Sequence, residues 1–267
     1  MAVRWYMRYG LSYRDVEELL AERGIEVDHV TVYRWVQRFT PLLADAARFA
    51  RHSPGDRWFV DETYVKVNGL WRYVYRAVDQ HGQVIDVLLT VHRDAAAAHR
   101  FFTRALRMLK VIPSEVVTDA APVYPAVLDE LVPAAWHHVE QYANNPIEAD
   151  HGQLKRRLKP MRGLRTDRTA QVVIAGHAFI QNLRRGHYEL GVDTRPAFRV
   201  AVGVHRTCPS DMTPPGADLS ATADPATQQR PAEQPCTATG SAARSPARSS
   251  PTSSAAATDR VGSAVAP

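Results

Sequence analysis

The chain has 267 residues and a net charge of +5, enough length for one substantial domain with a smaller partner and therefore for a buried active site. The basic excess favours a polyanionic partner. Its two cysteines, Cys208 and Cys236, fall in a polar stretch, which argues against a disulfide framework or a thiolate zinc site and fits a reducing cytoplasm. No apolar run approaches the length of a membrane helix, and the N-terminus lacks the pattern of a signal peptide.

Residues 11–40 carry two helical patterns separated by Gly24. Ser12 with Asp15 reads as a capping box, and Asp28 is placed to cap the second helix. Val16, Leu19 and Leu20 share one face, and Val32, Trp35, Val36 and Phe39 another, so the pair can bury apolar stripes against each other as a helix-turn-helix. Thr31, Arg34 and Arg38 then project from the opposite side of the second helix, as a DNA recognition helix requires. A helical hairpin with a solvated polar face would show the same pattern.

Three strand-like runs follow, from Trp58, Leu70 and Val84, with turns at Asn68-Gly69 and His81-Gly82. Their β-branched and aromatic content predicts an antiparallel meander. Trp71, Tyr73 and Tyr75 alternate along the second run and read as packing residues rather than base-stacking platforms. A helix is expected over 94–110, a strand ending at Asp119, a helix from Pro122, a strand from Trp136 to Val139 and a helix resuming at Pro146. That order suits a mixed α/β sheet flanked by helices, preceded by the all-α segment. The expected divisions are a DNA-binding domain over 1–50, a catalytic domain with basic C-terminal helices over 51–204, and a disordered tail over 205–267 whose Ala, Pro, Ser and Thr cannot bury enough apolar surface to order it.

Asp61 lies inside an apolar strand, where a carboxylate is costly unless compensated, and a bound cation is one such compensation. Asp119 ends a second apolar strand, so the two acids can meet at adjacent strand ends. Glu148 follows Asn145 and Pro146 at a helix start, where a capping-box glutamate also belongs. His151 and Lys155, three and seven residues further on, share its helical face. Three facing carboxylates would repel one another, whereas one or two hard divalent cations, magnesium or manganese, let all stay ionised. His137, His138 and His151 offer a competing zinc reading, but they have no cysteine partners and no recognised zinc spacing, and they read instead as supporting the metal ligands or facing DNA. Over residues 152–188, the cations Lys155, Arg156, Arg157, Lys159, Arg162, Arg165, Arg168, Arg184 and Arg185 face the single acid Asp167, which reads as a phosphate-binding track.

The blocks VDETYVKVNGLWRYVYRAVD, VVTDAAPVY and YANNPIEADHGQLKRR, after AVRWYMRYGLSYRDVEELLAERGIEVDHVTVYRWVQRF and before MRGLRT and AGHAFIQNLRRGHYEL, resemble the DDE transposases of the bacterial insertion-sequence-six family over about residues 2–190. The resemblance implies an RNase H-like catalytic domain and assigns Asp61, Asp119 and Glu148 to a metal-binding triad, with Lys155 as the basic residue that follows it. It also implies an oligomer acting on terminal inverted repeats and target DNA in the bacterial cytoplasm, at the nucleoid, and joining replicons into cointegrates, with no cofactor beyond the metal. The sequence departs from the family at Ala120, where lysine is frequent, at His138, where arginine is frequent, and in a short N-terminal stretch and the tail. A DNA-binding remnant without chemistry and a nuclease that cuts without joining are the competing expectations.

Overall fold

Residues 1–139, 144–161 and 163–207 are described by a computed structural model of the chain. The expected tail from residue 208 onward, both cysteines and Arg162 lie outside the described residues. Helices α1 (Ala2–Arg8), α2 (Tyr13–Ala21) and α3 (His29–Ala46) come first. Both expected caps form: Ser12 and Asp15 make a reciprocal capping box, and the Asp28 carboxylate accepts from the Thr31 N–H at 2.6 Å. Gly24 takes φ +73° just after α2, a left-handed conformation that a side chain resists. The connection from Glu22 to Asp28 is longer than the three- to four-residue turn of a minimal helix-turn-helix. The buried stripe of α3 is Val32, Val36, Thr40 and Leu43. Trp35 and Phe39, expected inside, are only partly covered because the stripe drifts away from them as the helix continues past Phe39.

The meander forms as β1 (Arg57–Val67), β2 (Leu70–Asp79) and β3 (Val84–Thr90), antiparallel throughout, with Asn68 and Gly69 both at positive φ in the first turn. This is the backbone that an Asn-Gly hairpin favours. Next come α4 (Ala95–Leu109), β4 (Glu115–Val117), α5 (Tyr124–Leu131), β5 (Trp136–His138) and α6 (Asn145–Leu158), then α7 (Asp167–Arg185) and α8 (Arg199–Thr207). β4 pairs parallel with both β1 and β5, so the sheet order is β3-β2-β1-β4-β5. Three antiparallel strands with two parallel ones added beside the first make the mixed sheet that the order of elements predicts, in the RNase H-like arrangement that the resemblance implies.

Strand alternation divides the sheet into two buried faces. Trp58, Val60, Tyr75 and Ala77 pack with Phe101, Phe102 and Tyr124 of α4 and α5. Phe59, Val65, Val74 and Val78 pack with Ile147 and Leu154 of α6 and Ile174 of α7. A third cluster joins α1–α3 to α7 and α8 through Tyr6, Val16, Val36, Leu183 and Val204. α8 ends at Thr207, so its last residues are helical where the sequence places the start of the tail. Among the described residues no helix is long and apolar enough to cross a membrane.

Candidate functional site

Asp61 points to the α6 side of the sheet and is 8% exposed. One oxygen accepts the Glu62 N–H at 2.7 Å. Burial raises its carboxyl to about 7, and the neighbouring carboxylates Glu62, Asp119 and Glu148 push the same way. Asp119 lies two residues past β4, half-buried, where it also accepts the Ala121 N–H.

Two groups of ligand atoms, each within 4.8 Å of one another, share Asp61: one with Glu62 and Asp119, the other with Glu148 and His151. Glu62 is a member that the sequence reading passed over, although it directly follows Asp61. Its side chain hydrogen-bonds the Tyr124 hydroxyl and the Arg93 guanidinium, and Arg93 also reaches Asp119 at 2.9 Å. Arg93 thus supplies positive charge to two acids that would otherwise repel.

The helix-capping alternative for Glu148 fails geometrically. Asn144, not Asn145, is the N-cap, which moves Glu148 to the fourth helical position, and no side-chain cap bond forms. Asn144 instead donates to the Val60 carbonyl at 3.1 Å, fastening the start of α6 to β1. Glu148 is exposed, with its carboxylate 4.0 Å from His151 Nδ1. His151 is buried 3.8 Å from Asp61, so the reading that faces it toward DNA is corrected. Burial, reinforced by Arg76 and Lys155, lowers its pKa to about 4 and leaves a neutral imidazole. Lys155 is exposed with its Nζ 5.2 Å from the Tyr64 ring centre. Glu148, His151 and Lys155 share one face of α6, as their spacing predicts, and that face approaches β1.

Behind this site lies a buried ion network that sequence reasoning missed. Arg76, fully buried and paired across the strands with Asp61, binds the Asp150 carboxylate and Gln181. Arg185 holds the other Asp150 oxygen at 2.7 Å. Burial alone would raise the Asp150 pKa, but Arg76 and Arg185 pull it below the ordinary carboxylate value. The signal was available: Asp150 sits on the apolar stripe of α6 between Ile147 and Leu154, as Asp61 sits inside β1.

Arg157 lies on the same stripe, one turn after Leu154, and is 5% exposed. It donates to the Tyr6 carbonyl and stacks on the Tyr6 ring at 4.5 Å. The expectation that Arg157 meets DNA is thus corrected: helical periodicity turns it inward to fasten α6 to α1. Arg156 and Lys159 remain exposed, as do Arg34 and Arg38, while Thr31 is partly covered. His138 pairs with Glu115 at 3.2 Å, and His137 hydrogen-bonds Thr118, so neither joins His151.

The DDE domain family matches residues 55–187. The transposase for insertion sequence-like element IS431mec from Staphylococcus aureus (strain Mu50) is 39% identical over 160 residues, covering 58% of this chain and 71% of that protein. The Staphylococcus aureus transposase for insertion sequence element IS257 in transposon Tn4003 matches to the same identity and extent. Among solved structures, the HTLV-2 integrase catalytic core domain in complex with magnesium, in its trimeric form, covers 49% of this chain and 86% of its own at 18% identity and a TM-score of 0.38. The catalytic core domain of BIV integrase covers 57% and 97% at 16% identity, also with a TM-score of 0.38. With the DDE domain spanning the sheet and α6, and transposases matched at 39% identity over 71% of their length, the chain belongs to the DDE transposases of the insertion-sequence-six family.

Proposed function

We propose that this transposase binds the terminal inverted repeats of an insertion sequence and that Asp61, Asp119 and Glu148 serve metal-dependent cleavage of the DNA and its transfer to a target. The observation that carries the reading is the sharing of Asp61 by two groups of potential ligand atoms. The donor set fits a hard divalent cation, magnesium or manganese: carboxylate oxygens predominate, and His151 is neutral with its Nε2 buried and lacking a hydrogen-bond partner among the described residues. Asp61, Asp119 and Glu148 would hold the cation, with Glu62 and His151 within reach. When bound, it would polarise the scissile phosphate and acidify the attacking water or 3′-hydroxyl.

The chain's own residues supply orientation. Asn144 anchors the start of α6 beside Asp61, and the Asp150 network fixes the rotation of that helix. Lys155 stands exposed one turn beyond His151, where an ammonium can neutralise a DNA phosphate. Arg156 and Lys159 continue that positive edge, and Thr31, Arg34 and Arg38 of α3 serve element-end recognition. The reaction runs in the bacterial cytoplasm, at the nucleoid, in a homo-oligomer that brings two ends together and yields a cointegrate.

The test is to incubate the full chain and magnesium with a labelled element end and a supercoiled target plasmid. Labelled end joined to plasmid is the expected product. Cleavage without joining would indicate a nuclease instead, and binding without cleavage a DNA-binding remnant.

A further inference from the structure

The outer part of the β1–β2 hairpin carries an aromatic pair that the acid cluster does not use. Trp71 and Tyr64 are 53% and 56% exposed, and their rings meet edge to face with centroids 5.0 Å apart. Lys66 Nζ lies 4.9 Å from the Trp71 ring centre, and Lys155 Nζ 5.2 Å from that of Tyr64. Two strands and α6 thus contribute two rings and two ammonium groups to one patch. Along the same face of β2, Tyr75 is buried and Tyr73 partly buried, but Trp71 emerges into solvent. The packing role expected of the three alternating aromatics therefore holds for Tyr75 and Tyr73 and fails for Trp71.

The position of the patch says what it can receive. Tyr64 follows Glu62 by two residues on the same strand face, a rise of about 6.7 Å. Lys155 stands one turn beyond His151 on α6. β4 pairs with β1 only as far as Phe59, so the edge of β1 past Asp61 is not covered by β4. An exposed ring beside ammonium groups suits a ligand with a flat π-face and anionic flanks. Within a duplex the base faces are stacked away, so an unpaired nucleotide is the DNA element that fits.

The geometry points to a base-stacking platform: Trp71 stacks on an unpaired nucleobase of the substrate strand beside the acid cluster, Tyr64 stands perpendicular to that ring and borders it, and Lys66 and Lys155 hold the flanking phosphates. This rests on the DNA-cleaving reading above. It differs from a cross-strand pair that merely stabilises the hairpin, because it requires a ligand and depends on ring character.

The test uses the full chain in calcium buffer with two probes: a duplex bearing a short single-stranded overhang that contains 2-aminopurine, and the matching blunt duplex with a fluorescent label. Wild type is expected to quench the overhang fluorescence at least about twofold. Trp71→Ala and Trp71→Leu should lose the quench and bind the overhang duplex roughly tenfold more weakly, with blunt-duplex binding unchanged; Trp71→Phe should restore both. An undiminished quench in Trp71→Ala, or equal weakening on both duplexes, overturns the platform alone. If wild type binds neither duplex, the DNA reading itself falls, and the platform with it.

Discussion

At the level of single residues, Asp61 is the member common to both groups of potential ligand atoms. Its carboxyl titrates near 7 in the folded chain against an ordinary 3.8, raised by burial first and then by Glu62, Asp119 and Glu148. A folded-state pKa above the unfolded value means that its contribution to stability is full below the ordinary carboxylate range and is lost as pH climbs through 7. In the presence of a chelator, the melting temperature should therefore fall between pH 5 and pH 8 more steeply for wild type than for Asp61→Asn. Magnesium at pH 8 should recover the wild-type loss and leave the variant unmoved. Parallel pH curves for the two proteins would show that Asp61 is not a strained carboxylate. Asp61 was legible from the sequence because a charge in an apolar strand calls for compensation. Glu62 was not, because strand alternation sends neighbours to opposite faces, and only the fold shows Asp119 approaching both from another strand.

At the scale of elements, α6 carries most of what the sequence concealed. Its run of lysines and arginines reads as a solvated basic edge, yet the stripe Ile147, Asp150, His151, Leu154 and Arg157 is buried. A charge count outweighed the period of 3.6, and Arg157 was misplaced as a result. The strands are marked locally: β-branched residues, aromatic alternation and Asn68-Gly69 identify the hairpin from the sequence itself. Three outcomes are expected for α6. Asp150→Ala leaves Arg76 buried without its acid and should cost roughly 3–5 kcal/mol in denaturant unfolding; a loss below about 1 kcal/mol would contradict the anchoring role. Arg156→Ala and Lys159→Ala should each reduce the slope of log DNA affinity against log salt by about 0.9 per phosphate contact removed. Arg157→Ala should leave the slope unchanged while lowering the melting temperature, and a reduced slope there would return Arg157 to the DNA interface.

At the scale of the whole molecule, α1–α3 do not form a core of their own. Their buried Tyr6, Val16, Val32 and Val36 belong to one cluster with Leu183 of α7 and Val200 and Val204 of α8. The sequence showed two amphipathic helices and let them satisfy each other, because α7 and α8, far along the chain, carry the covering surface without any local mark of their partner. A fragment of residues 1–50 should consequently lack stable helical circular dichroism, and cooperative melting of that fragment would contradict the shared core. The same connection ties α3 through α7 to β3, so residues proposed to read DNA ends and residues proposed to cut them stand on joined elements.

Asp61, Asp119 and Glu148 are proposed to act as one metal-dependent centre. The most direct measurement is the yield of labelled element end joined to plasmid in magnesium by Asp61→Asn, Asp119→Asn and Glu148→Gln, each checked for wild-type folding by circular dichroism. Each substitution, made alone, is expected to remove the joined product to background. A folded variant of any of the three that joins DNA at the wild-type level would contradict this.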